Sequence, residues 1–430
     1  MTQNKQDLRV SQIEEIARKA KTLKVAHLNA DDQSFNGRYL MLNGKKTINF
    51  ASCNYLGLAL DERVIEGAKE GAERYGTSFP TSRSFIQMSY LDELEQVLEE
   101  LFGYPCLVST TTSLGHVGWL PLLVGDKDAV LLDHQVHNSV ATAAQLLKAK
   151  GCPLETIRHN NLEKLEERVI ALSDHHEHIW YLADGIYSMY GDRAPVKGLV
   201  ELLEKHPKLH VYFDDAHGMS WTGERGVGHV LGEAALHPRM ALITSLGKSF
   251  GSLGGAMILH SEEEKNYVKA CAGPLIFSSP LPASVIGASL ASASIHLSNE
   301  LPELQGQLND KINYFKTIAG QLNLPIIGEA NTPIFFIPVG NPDSAFSIGR
   351  KLMDQGFYQS LSVFPSVPIQ NAGLRYTITN WIEKEDIEQV LERLHIERKS
   401  TFEAMLLSEE KVLRAFKGVR FTQSQVEMVG

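Results

Sequence analysis

From Asp61 onward, stretches with apolar residues three and four apart alternate with short apolar runs at Ala129–Leu132, Ile179–Ala183, His210–Phe213, Met240–Thr244 and Ala256–Leu259. The first spacing predicts helices and the second predicts strands. Strands that are apolar throughout and separated by helices predict a mostly parallel sheet covered on both faces. One helix is predicted over 89–102, where Leu91, Leu94, Val97, Leu98 and Leu101 share a face and Ser89-x-x-Asp92 predicts a capping box. Near the start, Ile13, Ile16, Ala17, Ala20 and Leu23 recur at helical spacing and predict an amphipathic arm. Residues Tyr39 to Phe50 alternate around Asn43-Gly44, a strong hairpin signal. After Pro282 a helical region runs to about Leu322; Pro333–Val339, a helix near Ser344–Asp354 and Leu374–Ile378 then predict a smaller α+β domain. The expected organisation is an arm and hairpin over 1–55, a large domain over 56–290, a small domain over 291–398 and an extension over 399–430.

Composition narrows the classes. The chain has 430 residues, 41 basic against 51 acidic, for a net charge of −10. That leaves no basic surplus to neutralise a phosphate backbone, which argues against nucleic-acid binding. Residues are 43% hydrophobic and 21% charged, and no apolar run reaches the roughly 18 residues a membrane-spanning helix needs. The four cysteines are widely spaced without a C-x-x-C, so neither a disulfide scaffold nor a zinc ribbon is expected. With no secretory start, a reducing cytoplasm is the expected compartment.

Four segments carry candidate chemistry. In Thr244-Ser245-Leu246-Gly247-Lys248-Ser249-Phe250-Gly251, a lysine sits in a small glycine-rich turn after a strand, a setting that favours a reactive amine. The nucleotide-binding P-loop reading fails on spacing, because Leu242 stands where its first glycine is needed. In Val211-Tyr212-Phe213-Asp214-Asp215-Ala216-His217, a strand delivers two carboxylates and an imidazole to its carboxyl end, where ligands of open α/β sheets bind. A carboxylate such as Asp214 is what a pyridinium cofactor needs at its ring nitrogen. His134 and His137 follow another apolar strand, read either as metal ligands or as an imidazole lying over an aromatic ring. The hydroxyl run Ser109-Thr110-Thr111-Thr112-Ser113 opens a helix and would suit a phosphate. The histidine-rich stretch 174–178 reads as a solvated loop rather than a metal site.

Taken in order, these segments resemble the fold type I pyridoxal-phosphate enzymes and, within them, the α-oxoamine synthase family. Asp184-Gly185-Ile186-Tyr187-Ser188-Met189-Tyr190-Gly191-Asp192-Arg193-Ala194-Pro195, Ser52-x-Asn54-Tyr55-Leu56-Gly57 and Gly223…Gly226-x-Gly228 are similar to motifs of that family. The resemblance implies an α/β fold with a large domain built on a mixed, mostly parallel sheet and a smaller α+β C-terminal domain. It implies pyridoxal 5'-phosphate as cofactor, held by Lys248 as the imine lysine and proton-transfer base and by Asp214 at the ring nitrogen. His217 would bond the phenolic oxygen, His137 would stack on the ring, and Ser188 would lie beside them. Thr111, Thr112 and Ser245 fall at phosphate-contacting positions. Ser278 and Ser279 match a segment contributed by a neighbouring subunit, which implies a homodimer with shared active sites. Arg375 falls at the arginine that holds the amino-acid carboxylate, assisted by Asn54.

The reaction implied is condensation of an amino acid with an acyl-CoA, with decarboxylation to an α-amino ketone. Departures from the family pattern point to substrate. The loop Gly76-Thr77-Ser78-Phe79-Pro80-Thr81-Ser82-Arg83 is bulkier than the usual glycine-rich one, Leu91 and Tyr190 replace polar family residues, and Asn380-Trp381-Ile382 stands for Ala-Ala-His. Ser82-x-Ser84-Phe85-Ile86-Gln87-x-x-Tyr90 resembles the branch that makes long-chain autoinducers, and the serine palmitoyltransferase branch is related. A medium- or long-chain acyl-CoA with a small amino acid is therefore the expected substrate pair. The rival readings are an aminotransferase on the same scaffold and a degenerate, inactive subunit; the latter predicts loss of the lysine, and Lys248 is present.

Overall fold

A computed structural model describes residues 5–31, 35–328 and 331–416. Contacts group them into two units, one of residues 1–55, 189–192 and 306–430, the other of 56–188 and 193–305.

In the first unit the predicted hairpin is formed by β1 (Tyr39–Leu42) and β2 (Lys45–Asn49), paired from Tyr39 opposite Ile48 to Leu42 opposite Lys45. Asn43 and Gly44 both take positive φ, 52° and 74°, which is the twist a two-residue hairpin turn requires. The arm is the helix Lys5–Thr22, whose Ala20 packs with Val25, Phe346 and Met353.

The second unit carries the large sheet. Its strands are β3 (Cys106–Ser109), β4 (Ala129–Asp133), β5 (Leu154–Ile157), β6 (Ile179–Asp184), β7 (Leu209–Asp214), β8 (Met240–Ser245) and β9 (Gly255–Ile258). Their order is β3-β9-β8-β7-β6-β4-β5. The strands from β5 to β8 run parallel, and β9 is antiparallel to both β8 and β3. The all-apolar strands follow from burial on two faces. Val211 and Phe213 enter one core with Leu165 and Leu199, whereas Tyr212 enters the other with Trp119 and Ala143.

Back in the first unit, β10 (Ile334–Gly340), β11 (Phe357–Tyr358), β12 (Ser360–Ser362) and β13 (Ala372–Thr377) complete the strands. The antiparallel order β10-β13-β12 forms the small sheet, while β11 pairs in parallel with β2. The helix Lys384–Met405 runs on across the expected start of the extension at 399, and the helix Glu409–Arg414 follows. The predicted capping box at Ser89 is corrected: the N-cap of the helix Ser89–Phe102 is Met88, whose side chain has no oxygen to accept an amide, and Asp92 accepts from the Gln87 side-chain amide. Among the described residues, no helix is long and apolar enough to cross a membrane.

Candidate active site

Parallel strands place their carboxyl ends on one edge, and here β4, β6, β7 and β8 end there in Asp133, Asp184, Asp214 and Ser245. The chain steps outward from β4 to β5 and then returns to the opposite side of β4 for β6, the reversal at which open sheets form a crevice. Asp133 is committed to structure: it accepts from His159 Nδ1 at 2.8 Å, Tyr181 Oη at 2.8 Å and the Asn160 and Gln135 amides.

Asp214 is buried at the end of β7. Its Oδ1 accepts the Ala216 amide at 3.0 Å, and its Oδ2 accepts from His116 Nε2 at 3.0 Å. Burial opposes its ionisation, but the charge and hydrogen bond of His116, with the charges of Lys248 and His137, outweigh that cost and bring it down to about 2. A buried carboxylate kept ionised is a fixed negative charge awaiting a cation.

Lys248 is half-buried in a turn that its neighbours anchor. Leu246 N–H donates to Gly254 O at 3.0 Å, Gly251 N–H to Lys248 O at 3.0 Å, and Leu56 N–H to the buried Ser249 hydroxyl at 3.3 Å. Gly251 has φ 82°, and a Cβ there would meet Ala59 N at 2.7 Å, so no side chain fits. The Lys248 charge is felt at Asp214, Asp184 and His137, which brings these four together.

His137 follows β4 as the N-cap of the helix Asn138–Ala149, its Nδ1 accepting the Ser139 amide at 3.3 Å. Its own amide donates to Asp184 Oδ1 at 2.9 Å. The ring is open to solvent on one side, yet crowded enough that partial desolvation lowers its proton affinity, with Lys248 and His116 adding to this against Asp214. Sequence reading had not recognised its capping role.

Thr111 caps the helix Thr112–Leu123 through its hydroxyl, which accepts the Leu114 amide at 3.1 Å. The amides of Thr112 and Ser113 precede the first intrahelical bond and mark the positive end of that helix. Gly255 lies opposite Ser245 in the sheet, and a Cβ on it would meet Thr112 N at 2.7 Å, so the start of the helix packs directly on β9 beside Ser245. The Ser245 hydroxyl accepts the Gly247 amide at 3.1 Å. Ser278 and Ser279 line a small cavity with Arg83, Ser109 and Thr110. His217 is buried, its carbonyl accepting from Trp221 Nε1 at 2.6 Å, and Ser188 is half-buried shortly after β6.

In the other unit, Arg375 lies buried on β13, between Phe336 of β10 and Ser360 of β12 in register. The segment bearing Asn54 is stitched to β13 and beyond by Thr377 N–H to Phe50 O and Asn380 N–H to Tyr55 O, each 2.8 Å. The buried Tyr55 hydroxyl hydrogen-bonds both Arg375 and Cys53.

Two groups beside Asp214 were not singled out from sequence. His116 faces the sheet from a helix that approaches closely through Gly115, where a Cβ would meet Ile243 Cδ1 at 2.4 Å. The sequence signal was a glycine-histidine pair inside a helix. Asp184 is opposite Asp214 in register. Burial first, and the Asp214 charge second, push its carboxyl well above the usual range. Among the described residues, no group of three or more histidine, cysteine or acidic side chains is placed to hold a metal ion.

Comparison with known proteins identifies the family. The family model of aminotransferase class I and II matches residues 45–394. The 8-amino-7-oxononanoate synthase of Alkaliphilus metalliredigens is 30% identical over 360 residues, 83% of this chain and 89% of that protein. The enzyme of the same description from Fervidobacterium nodosum is 32% identical over 367 residues, covering 84% and 91%. Among solved structures, a serine palmitoyltransferase from S. paucimobilis with bound PLP-myriocin shares the fold, with TM-score 0.83 and 23% identity over 91% of this chain and 98% of that one. The 8-amino-7-oxononanoate synthase of Francisella tularensis follows at TM-score 0.70 and 20% identity, covering 83% and 99%. The protein therefore belongs to the α-oxoamine synthase family of the class I and II aminotransferase enzymes.

Proposed function

We propose that this protein is a pyridoxal 5'-phosphate-dependent C-acyltransferase that joins an amino acid to an acyl-CoA, with loss of carbon dioxide, to give an α-amino ketone. The carrying observation is the buried Asp214 carboxyl at the carboxyl edge of the sheet, hydrogen-bonded by His116 and the Ala216 amide, with Lys248 and His137 close enough to act on it. The donor set fits the cofactor. After its two hydrogen bonds each Asp214 oxygen keeps a lone pair for a protonated ring nitrogen, and the Thr111, Thr112 and Ser245 hydroxyls with the first amides of the helix Thr112–Leu123 suit a phosphate.

When bound, the protonated pyridine ring supplies an electron sink for a carbanion. Lys248 holds the cofactor and moves the proton at the amino-acid Cα, Asp214 keeps the ring nitrogen protonated, and His137 covers the ring face. His217 and Ser188 serve its phenolic oxygen, while Thr111, Thr112, Ser245, Ser278 and Ser279 serve its phosphate. Arg375, with Asn54, binds the amino-acid carboxylate, since a guanidinium fork matches a carboxylate bidentately.

The acyl donor proposed is a medium- or long-chain acyl-CoA. It is supported by the resemblance of Ser82-x-Ser84-Phe85-Ile86-Gln87-x-x-Tyr90 to the branch that makes long-chain autoinducers. A second copy of the chain is proposed to dock where Phe277 and Phe85 stand 88% and 85% exposed. The Ser82 hydroxyl, donating to Ile276 O at 2.7 Å, ties those two segments together.

The test is to incubate the purified protein with a panel of amino acids and acyl-CoAs, following thiol release and product mass. Equimolar free coenzyme A and α-amino ketone are expected, increasing with acyl length. Amine transfer to a keto acid without thiol release would instead establish the aminotransferase reading, and turnover confined to short acyl chains would sink the chain-length assignment.

A further inference from the structure

Two buried carboxylates stand side by side at the mouth of the sheet, Asp184 on β6 and Asp214 on β7, paired in register. In a low-dielectric site, two like charges this close cannot both ionise cheaply, so one carries the charge and the other keeps its proton. Their surroundings differ. Asp184 accepts the His137 amide at 2.9 Å, with Asp133 and Asp214 as like charges against it and Lys248 in its favour. Asp214 accepts the Ala216 amide and an imidazole, and faces Lys248 and His137 as well.

That imidazole is His116, fully buried on the helix Thr112–Leu123. A carboxylate only accepts, so Nε2 must carry the hydrogen that it donates to Asp214 Oδ2 at 3.0 Å. Nδ1 meets the hydroxyl of the buried Tyr212 at 2.8 Å. A phenol can donate to a neutral ring or accept from a charged one, so Tyr212 holds the imidazole in place in either state. Both ring nitrogens are thereby satisfied, and the chain of groups ends on Asp214.

We infer that His116, clamped by Tyr212, is the positioning residue that orients the Asp214 carboxylate and makes it, rather than Asp184, the charged member of the pair. The inference rests on the proposed function only in giving that charge a cofactor nitrogen to face; the allocation itself belongs to the protein.

The experiment follows the 13C-carboxyl signals of Asp184 and Asp214 in the full chain without cofactor, across pH, in wild type, His116→Leu, His116→Gln and Tyr212→Phe. His116→Leu should raise the Asp214 midpoint by two pH units or more and lower that of Asp184. His116→Gln, which keeps a donor, should restore most of the difference. Tyr212→Phe removes one hydroxyl and should shift Asp214 in the same direction by less, which keeps the test decisive where the leucine variant does not fold. An unchanged Asp214 midpoint in both His116→Leu and Tyr212→Phe, or in Tyr212→Phe alone where His116→Leu does not fold, overturns the inference. In parallel, the dissociation constant for pyridoxal phosphate should rise about tenfold in His116→Leu. A moved midpoint with unchanged cofactor affinity upholds His116 and overturns the assignment of Asp214 to the ring nitrogen.

Discussion

Asp215 Oδ2 accepts the Val230 amide at 2.9 Å, fastening the end of β7 to the start of the next short helix from inside a cradle of glycines. A Cβ on Gly185, Gly218 or Gly228 would approach its carboxylate to 2.2, 2.3 or 2.4 Å, so each of the three positions must lack a side chain. Burial pushes this carboxyl up to about 7, with the Asp214 charge adding and the Val230 and His229 amides and Arg193 opposing. The folded state therefore holds this proton more tightly than the unfolded chain, whose ordinary value is 3.8. Its contribution to stability is fully present below about pH 4 and is lost as pH rises to about 7, at about 1.4 kcal/mol per pH unit. Asp215→Asn removes the titration, so thermal midpoints measured from pH 4 to 8 should fall less steeply than in wild type. Parallel slopes would refute the account.

Lys248→Ala should abolish the visible absorbance that pyridoxal phosphate acquires on binding the wild type. Coenzyme A release should fall about 100- to 10,000-fold, the usual worth of a positioned proton-transfer group. Retention of the spectral band in this variant would place the cofactor linkage on another lysine.

Arg375→Lys keeps a positive charge but loses the planar fork. A charge-assisted hydrogen bond is worth about 1.5–3 kcal/mol, so KM for the amino acid should rise about 10- to 150-fold. KM for the acyl-CoA should barely move. Steady-state kinetics with each substrate varied separately decides this, and an equal rise in both would exclude a dedicated carboxylate site.

Phe277→Asp places a charge in the middle of the proposed subunit contact, where an unpaired ion costs several kcal/mol to bury. Sedimentation velocity should show a dimer for wild type and a shift toward monomer for the variant. A wild-type monomer at micromolar concentration would remove the second copy from the proposal.

Local chemistry was legible wherever it depended on neighbours in the chain. Asn43-Gly44 dictates its hairpin because only residues tolerant of positive φ complete that turn. The placement of Lys248 and Asp214 was readable because a strand followed by small or acidic residues sets them at the carboxyl edge of a sheet. The failed cap at Ser89 shows the limit: Asp92 had the right spacing, but Gln87 claimed it from outside the motif.

By itself, then, the sequence determined the alternating strands and helices, the hairpin, the glycine-rich turn that carries Lys248 and the strand-end carboxylate, because each is encoded within a dozen residues. Only the tertiary structure decided which groups surround that carboxylate. His116 and Asp214 are 98 residues apart and meet because Gly115 lets its helix lie close on the sheet. Asp184 stands beside Asp214 through strand register, and burial together with that charge pushes its carboxyl up. No local pattern carries that information, since the charge of a buried group is set by what packs around it.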